Sequence, residues 1–170
     1  MPASQSRRTL LLASLAGGSL LALAGCGFKL RGPQPLAFSR LLISGVDPNS
    51  AIGAELRRQI LTSGTTTVVS SPTEADATLE ILSISRDREI LSLSGAGTVR
   101  EYQLTQAITF RLVGRDGDAR LPATTIRARR EYNFDDSQVI AKQQEEELLF
   151  SDMERDLLQQ LMRRLAAVQP

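Results

Sequence analysis

Residues 101–112 read Glu101-Tyr102-Gln103-Leu104-Thr105-Gln106-Ala107-Ile108-Thr109-Phe110-Arg111-Leu112. Tyr102, Leu104, Ile108, Phe110 and Leu112 hold even positions, whereas Glu101, Gln103, Thr105, Thr109 and Arg111 hold odd ones. Side chains of a strand alternate between faces, so this period of two describes a strand with one apolar and one polar face. Such a strand needs neighbours to pair with and a layer to cover it. Upstream, residues 77 to about 93 are rich in Ile, Leu, Ser and Thr and form a second strand. Its apolar positions slip from odd (Leu79, Ile81) to even (Leu82, Ile84), which predicts a bulge or a change of facing. Ser94-Gly95-Ala96-Gly97 is a hairpin turn by composition, and Arg115-Asp116-Gly117-Asp118 turns the chain again. A further strand, over about 124–134, directs Ile126, Ala128 and Tyr132 inward and Arg127, Arg129 and Glu131 outward.

The covering layer is also present. Leu149, Met153, Leu157, Leu161 and Leu165 recur every four residues, and Phe150, Leu158 and Met162 widen the stripe. That is an amphipathic helix broad enough to cover a sheet. Its polar face mixes acids with bases, unlike the cation-rich face of a membrane-surface helix. Glu145, Glu146 and Glu147 read as an acidic helix start, and Arg163 and Arg164 fall in the last turns, as the helix dipole favours. Nearer the N-terminus, Leu41-Leu42-Ile43 begins a strand that ends near Gly45. Asp47-Pro48-Asn49-Ser50 carries helix-start chemistry, Ile52, Leu56 and Ile60 share a helix face, and Gly64 sits where a left-handed cap is needed. The order β-α-β-β-β-α predicts an α/β two-layer sandwich: a four-stranded sheet with two helices packed on one face.

The first 25 residues differ in kind. Arg7 and Arg8 precede an apolar run from Leu10 to about Leu23, broken only by small residues and followed by Leu23-Ala24-Gly25-Cys26. A basic start, a short apolar core and a small-residue cleavage site make a secretory signal. Leu-Ala-Gly-Cys has the form of a lipobox, in which the cysteine accepts a diacylglyceryl group and the peptidase cuts just before it. The chain then divides into a signal peptide (1–25), a lipidated tether (26–38) and a folded domain (39–170). Pro33 and Pro35 deny the tether a helix. Ser6-Arg7-Arg8-Thr9-Leu10-Leu11 resembles a twin-arginine export signal, but an ordinary basic start of a general signal is the preferred reading. Cys26 is the only cysteine, so a lipidated chain has no disulfide and relies on its core. Without Arg7 and Arg8 the 20 basic residues become 18, against 19 acids. A net charge near −1 argues against nucleic-acid binding. Several acyl chains on Cys26 would anchor the protein stably in a membrane.

Catalytic chemistry is missing. There is no histidine, no free cysteine after acylation and no phosphate loop, which removes Ser-His-Asp and Cys-His schemes and the usual zinc sites. No cofactor or metal is expected, and the protein is not expected to be an enzyme. The carboxylates of Asp135-Asp136 and Glu145–Glu147 read as solvated capping residues. Arg86, Arg88, Arg100, Arg127, Arg129 and Arg130 concentrate in the β-region. Acids beside them support a solvated face, whereas an arginine fork also matches phosphate geometry. Arg130 shares the inward face with Ile126, Ala128 and Tyr132, so it must reach an edge, pair, or meet a partner.

Cys26-Gly27-Phe28-Lys29-Leu30-Arg31-Gly32 resembles the mature start of the LPS-assembly lipoprotein family LptE. Further pieces follow in the family's order: Asp47-Pro48-Asn49, Glu101-Tyr102-Gln103-Leu104, Gly114-Arg115-Asp116, Ala141-Lys142-Gln143, Met153-Glu154-Arg155-Asp156 and Gln160–Leu165. The resemblance implies a lipoprotein of the outer membrane's inner leaflet that plugs the β-barrel LptD in the lipopolysaccharide translocon. Gly27 fits outer-membrane sorting, since inner-membrane lipoproteins usually carry Asp there. It also implies that basic residues contact lipopolysaccharide phosphates. By motif position these are Lys142, just before the final helix, and Arg100, the cation nearest a hairpin that reads Gly95-Ala96-Gly97 here. Enclosure by a barrel would make Arg127, Arg129 and Arg130 interface residues. A periplasmic accessory lipoprotein of an ABC-type lipid transporter is the alternative, and an anchored hydrolase is a remote third.

Overall fold

The structure, a computed structural model, describes residues 35–169. The expected signal, Cys26 and the tether up to residue 34 lie outside them. Strand β1 (Arg40–Ser44) leads through helix α1 (Ala51–Thr62) to β2 (Thr67–Val69), followed by the long strands β3 (Ala77–Leu93), β4 (Val99–Gly114) and β5 (Ala119–Asn133). A 3-10 turn (Asp136–Gln138) then opens into α2 (Val139–Ala166). The sheet order is β2-β1-β3-β4-β5, with β1 parallel to both its neighbours and β3, β4 and β5 antiparallel.

The sheet therefore has five strands, one more than expected. The addition is β2, a three-residue edge strand too short to show alternation. Its position is set by pairing of Arg40 with Thr67. Hydroxyls assist: Thr66 donates to the Phe38 carbonyl at 2.8 Å and Thr67 to that of Ser39 at 3.1 Å. Leu36 is buried, and its amide donates to the Thr65 hydroxyl at 2.9 Å, so the chain enters the domain beside β2.

Strand β4 lies between β3 and the edge strand β5. Leu104, Ile108, Phe110 and Leu112 are fully buried or nearly so; Leu112, Phe110 and Ile108 pair with Leu79, Ile81 and Ile126 on neighbouring strands. From α1 come Leu56 and Ile60. From α2 come Phe150, Met153, Leu157, Leu158, Leu161 and Leu165, with Leu149 and Met162 partly buried at the margin. Side chains of both helices meet Ile81, Ile84 and Ile108 around one point of the core, so the helices share a face and leave the other uncovered. Ser50 caps α1, its hydroxyl accepting from the Gly53 amide at 3.2 Å, and Gly64 follows with φ +76°. The predicted slip in β3 is a bulge between Ile81 and Ser83.

Two expectations for α2 change. The helix begins at Val139, so Lys142 lies inside its first turn and Glu145–Glu147 in its second, and the first turn has no acid. The glutamates serve as ion-pair partners there, not as dipole caps.

Gln106 occupies an even, inward position on β4. It is fully buried, and neither its amide nitrogen nor its amide oxygen has a hydrogen-bond partner. Burying an unpaired polar group costs about 1–3 kcal/mol. Gln106→Leu should therefore raise the free energy of urea unfolding by about 1–2 kcal/mol; a fall would show that the amide has a stabilising partner.

Candidate functional site

Strand β1 ends at Ser44, opposite Glu80, and β3 continues beyond it paired with β4 alone. At the far end of these long strands the β3–β4 hairpin faces the link between β5 and α2. An open cleft of about 810 Å³ lies between them, lined on one side by Ser92, Ser94, Thr98 and Arg100 and on the other by Phe134, Asp135, Gln138 and Lys142. Arg100 and Lys142, 42 positions apart in the chain, are thus brought to one cavity. Phe134 holds the two sides together, its amide donating to the Arg100 carbonyl at 2.8 Å.

The cleft is of mixed charge. Glu101, Asp135 and Asp136 line it beside the two cations. Most of these groups have local partners. Lys142 donates to Glu145 at 2.8 Å, and Ser92 donates to Glu101 at 2.6 Å. Asp135 accepts from the hydroxyl and amide of Ser137, at 2.7 and 2.9 Å. Those two bonds, led by the hydroxyl, hold its carboxyl below the usual range, and the charge of Lys142 adds to the effect. Arg100 is exposed and makes no ion pair among the described residues. Cations beside acceptors suit a ligand that has both anionic groups and hydroxyl donors, such as a phosphorylated saccharide.

A charged lattice braces the cleft. On the helix side of β3, Arg88 donates to Glu146 at 2.9 Å, and the Tyr132 hydroxyl donates to the same carboxylate oxygen at 2.6 Å. Arg88 also lies over the Tyr102 ring, 4.7 Å from its centroid, and Tyr102 stacks on Tyr132 and meets Phe134 edge-on. Burial first, and then the neighbouring Glu146, push the Tyr132 hydroxyl above its ordinary pKa; the hydrogen bond to Glu146 raises that of Arg88. One step along, Arg86 donates to Glu154 at 2.9 Å and covers the Phe150 ring at 5.2 Å. Sequence reading left Arg86 and Arg88 as residues of a solvated face. They are helix fasteners, and their spacing of two on β3 against Glu146 and Glu154 on α2 was the signal. Inward-pointing charge also discourages foreign strands from adding to the free edge of β3.

The three remaining arginines separate. Arg127 and Arg129 stand on the uncovered face, across from Ala107 and Thr105, and neither makes an ion pair among the described residues. Arg130 points to the helix side and pairs with Asp156 of α2 at its edge. Of the options open to it, it has taken pairing. No group of three or more acidic, histidine or cysteine side chains among the described residues is arranged to hold a metal ion. No helix among them is long and apolar enough to cross a membrane.

Comparison with known proteins matches this architecture. The family model for lipopolysaccharide-assembly LptE proteins matches residues 38–165. An LPS-assembly lipoprotein LptE of Yersinia pestis is 28% identical over 160 residues, covering 93% of this chain and 76% of the relative. The solution structure of lipoprotein B from Nitrosomonas europaea superposes with a TM-score of 0.69 at 36% identity, covering 83% of this chain and 91% of that one. The rare lipoprotein B of Shewanella oneidensis superposes with a TM-score of 0.65 at 26% identity, over 76% and 95% of the two chains. The family match and the superpositions agree, and the chain belongs to the LptE family of lipopolysaccharide-assembly lipoproteins.

Proposed function

We propose that the protein is a non-enzymatic, lipid-anchored component of the outer-membrane lipopolysaccharide translocon, held on the periplasmic side through Cys26 and seated in the lumen of an LptD-type β-barrel. The observation that carries this reading is the uncovered sheet face. Arg127 and Arg129 stand there among Thr105, Ala107, Thr109 and Thr125, without ion pairs among the described residues. A surface of small polar side chains with unpaired guanidinium groups suits the polar interior of a large barrel. Arg130, paired with α2, has no part in that contact. Arg100 and Lys142 contact lipopolysaccharide phosphates in the cleft, and the carboxylates beside them accept from sugar hydroxyls.

Purification from solubilised outer membranes tests the whole reading. The wild-type chain should carry an LptD-type barrel and lipopolysaccharide with it. Arg100→Glu combined with Lys142→Glu should keep the barrel and lose most of the lipopolysaccharide, because two attractive phosphate contacts become repulsive. A photo-crosslinker at Arg127 or Arg129 should join the chain to the barrel in whole cells. Recovery of an inner-membrane permease in place of a barrel would overturn the proposal and favour an importer accessory.

A further inference from the structure

Exposed aliphatic side chains are not spread evenly over the domain. Nine large hydrophobics among the described residues are exposed: Leu61, Leu82, Ile84, Ile90, Leu91, Leu93, Val139, Ile140 and Leu148. Five of them, Ile90, Leu91, Leu93, Val139 and Ile140, lie within two residues of Ser92, Ser94, Gln138 or Lys142, which line the cleft. They come from both of its sides. Ile140 is 74% exposed, and Ile90 and Leu93 are 57% and 56% exposed. Single exposed aliphatics need no explanation, whereas five that flank the lining residues of one cavity in the chain do.

The local backbone explains how β3 supplies three of them. Its pairing with β4 is irregular twice in succession, between Ile90 and Ser92 and again between Ser92 and Leu93. Beyond Ile81 every residue of β3 except Ser92 is exposed, and the first irregularity leaves Leu91 outside the pairing with β4. A polar, cation-bearing cleft with aliphatic side chains at its rim has the division of an amphiphile: headgroup inside, hydrocarbon alongside.

We infer that Ile90, Leu93 and Ile140, with Leu91 and Val139, receive the acyl chains of the same phosphorylated glycolipid whose headgroup occupies the cleft. This rests on the phosphate reading of Arg100 and Lys142. The rim contributes affinity through buried apolar area, and the cleft contributes orientation. Acyl chains are chosen over a protein partner because the aliphatic residues adjoin cations, the pairing a phosphorylated lipid presents. The site therefore discriminates an acylated ligand from its deacylated headgroup.

Binding of purified lipopolysaccharide and of its deacylated, still phosphorylated saccharide to the full chain tests this. The triple variant Ile90→Ser, Leu93→Ser, Ile140→Ser should bind the acylated ligand roughly tenfold or more weakly, with unchanged affinity for the deacylated one. Leu61→Ser, on α1 away from the cleft, should change neither, and matched thermal melts show that the exposed substitutions leave the fold intact. Arg100→Glu with Lys142→Glu should weaken both ligands. Wild-type affinity of the triple variant for the acylated ligand overturns the inference while the phosphate reading stands. Failure of the double charge reversal to weaken the deacylated ligand overturns the phosphate reading itself, and this inference with it. A photo-crosslinker at Leu93 that captures the barrel and no lipid would assign the rim to the barrel wall.

Discussion

Gly45→Ala should destabilise the protein by about 2–5 kcal/mol, far more than one methyl group on a surface turn would suggest. Gly45 has φ +79°, and a β-carbon built there would stand 2.0 Å from the carbonyl oxygen of Ile81. Two costs combine. A left-handed conformation costs an L-residue about 1–2 kcal/mol, and moving a packed backbone costs roughly 1–3 kcal/mol more. The location makes relaxation difficult, because β1 leaves the sheet here against the residue where the β3 bulge begins. Gly64→Ala separates the two costs. Its φ is +76° and its β-carbon would meet nothing within 4 Å, so only the conformational part, about 1–2 kcal/mol, is expected. Urea unfolding of both variants measures the difference, and equal losses would show that the contact with Ile81 is relieved without cost.

Phe110→Ala should be as damaging, by about 3–5 kcal/mol. Phe110 is fully buried at the centre of β4, paired with Ile81 on one side and Thr124 on the other. Strands on both sides and the helix layer above it restrict collapse of the cavity left behind, which puts the cost toward the upper end. Its neighbour Arg111 makes the comparison informative. That side chain is exposed on the opposite face and pairs with Glu80 at 2.6 Å. Exposed ion pairs contribute roughly 0–1 kcal/mol, so Arg111→Ala should barely move the unfolding midpoint. Adjacent substitutions with unequal effects would express the alternation from which the fold was read; similar losses would contradict it.

What was legible followed from regular spacing. The stripe of α2, the alternation of β4 and the slip of β3 each repeat over enough residues to stand above composition. Strand β2 was not legible because three residues cannot display a period. Gln106 was hidden for another reason: it is a polar residue in an apolar series, and only packing shows that the series does not skip it. Lys142 was placed ahead of α2 and not inside its first turn because three consecutive glutamates looked like the acidic start of the helix. Their partners Lys142, Arg88 and Arg86 are distributed over two elements, and no local rule connects them. For the same reason the cleft could not be read as a cavity, although Arg100 and Lys142 were each singled out. Family resemblance pointed to two residues, and only the return of α2 to the β3–β4 hairpin places them together.

The long strands also set a distance. At about 3.3 Å per residue, the 17 residues of β3 extend for about 55 Å. The chain enters the domain at one end of that length, where Leu36 meets Thr65, and the cleft opens at the other. A bilayer's hydrocarbon layer is about 30 Å thick. The long strands exceed that thickness. The cleft therefore lies farther from the point where the chain enters the domain than a hydrocarbon layer is thick, a separation set by strand length alone.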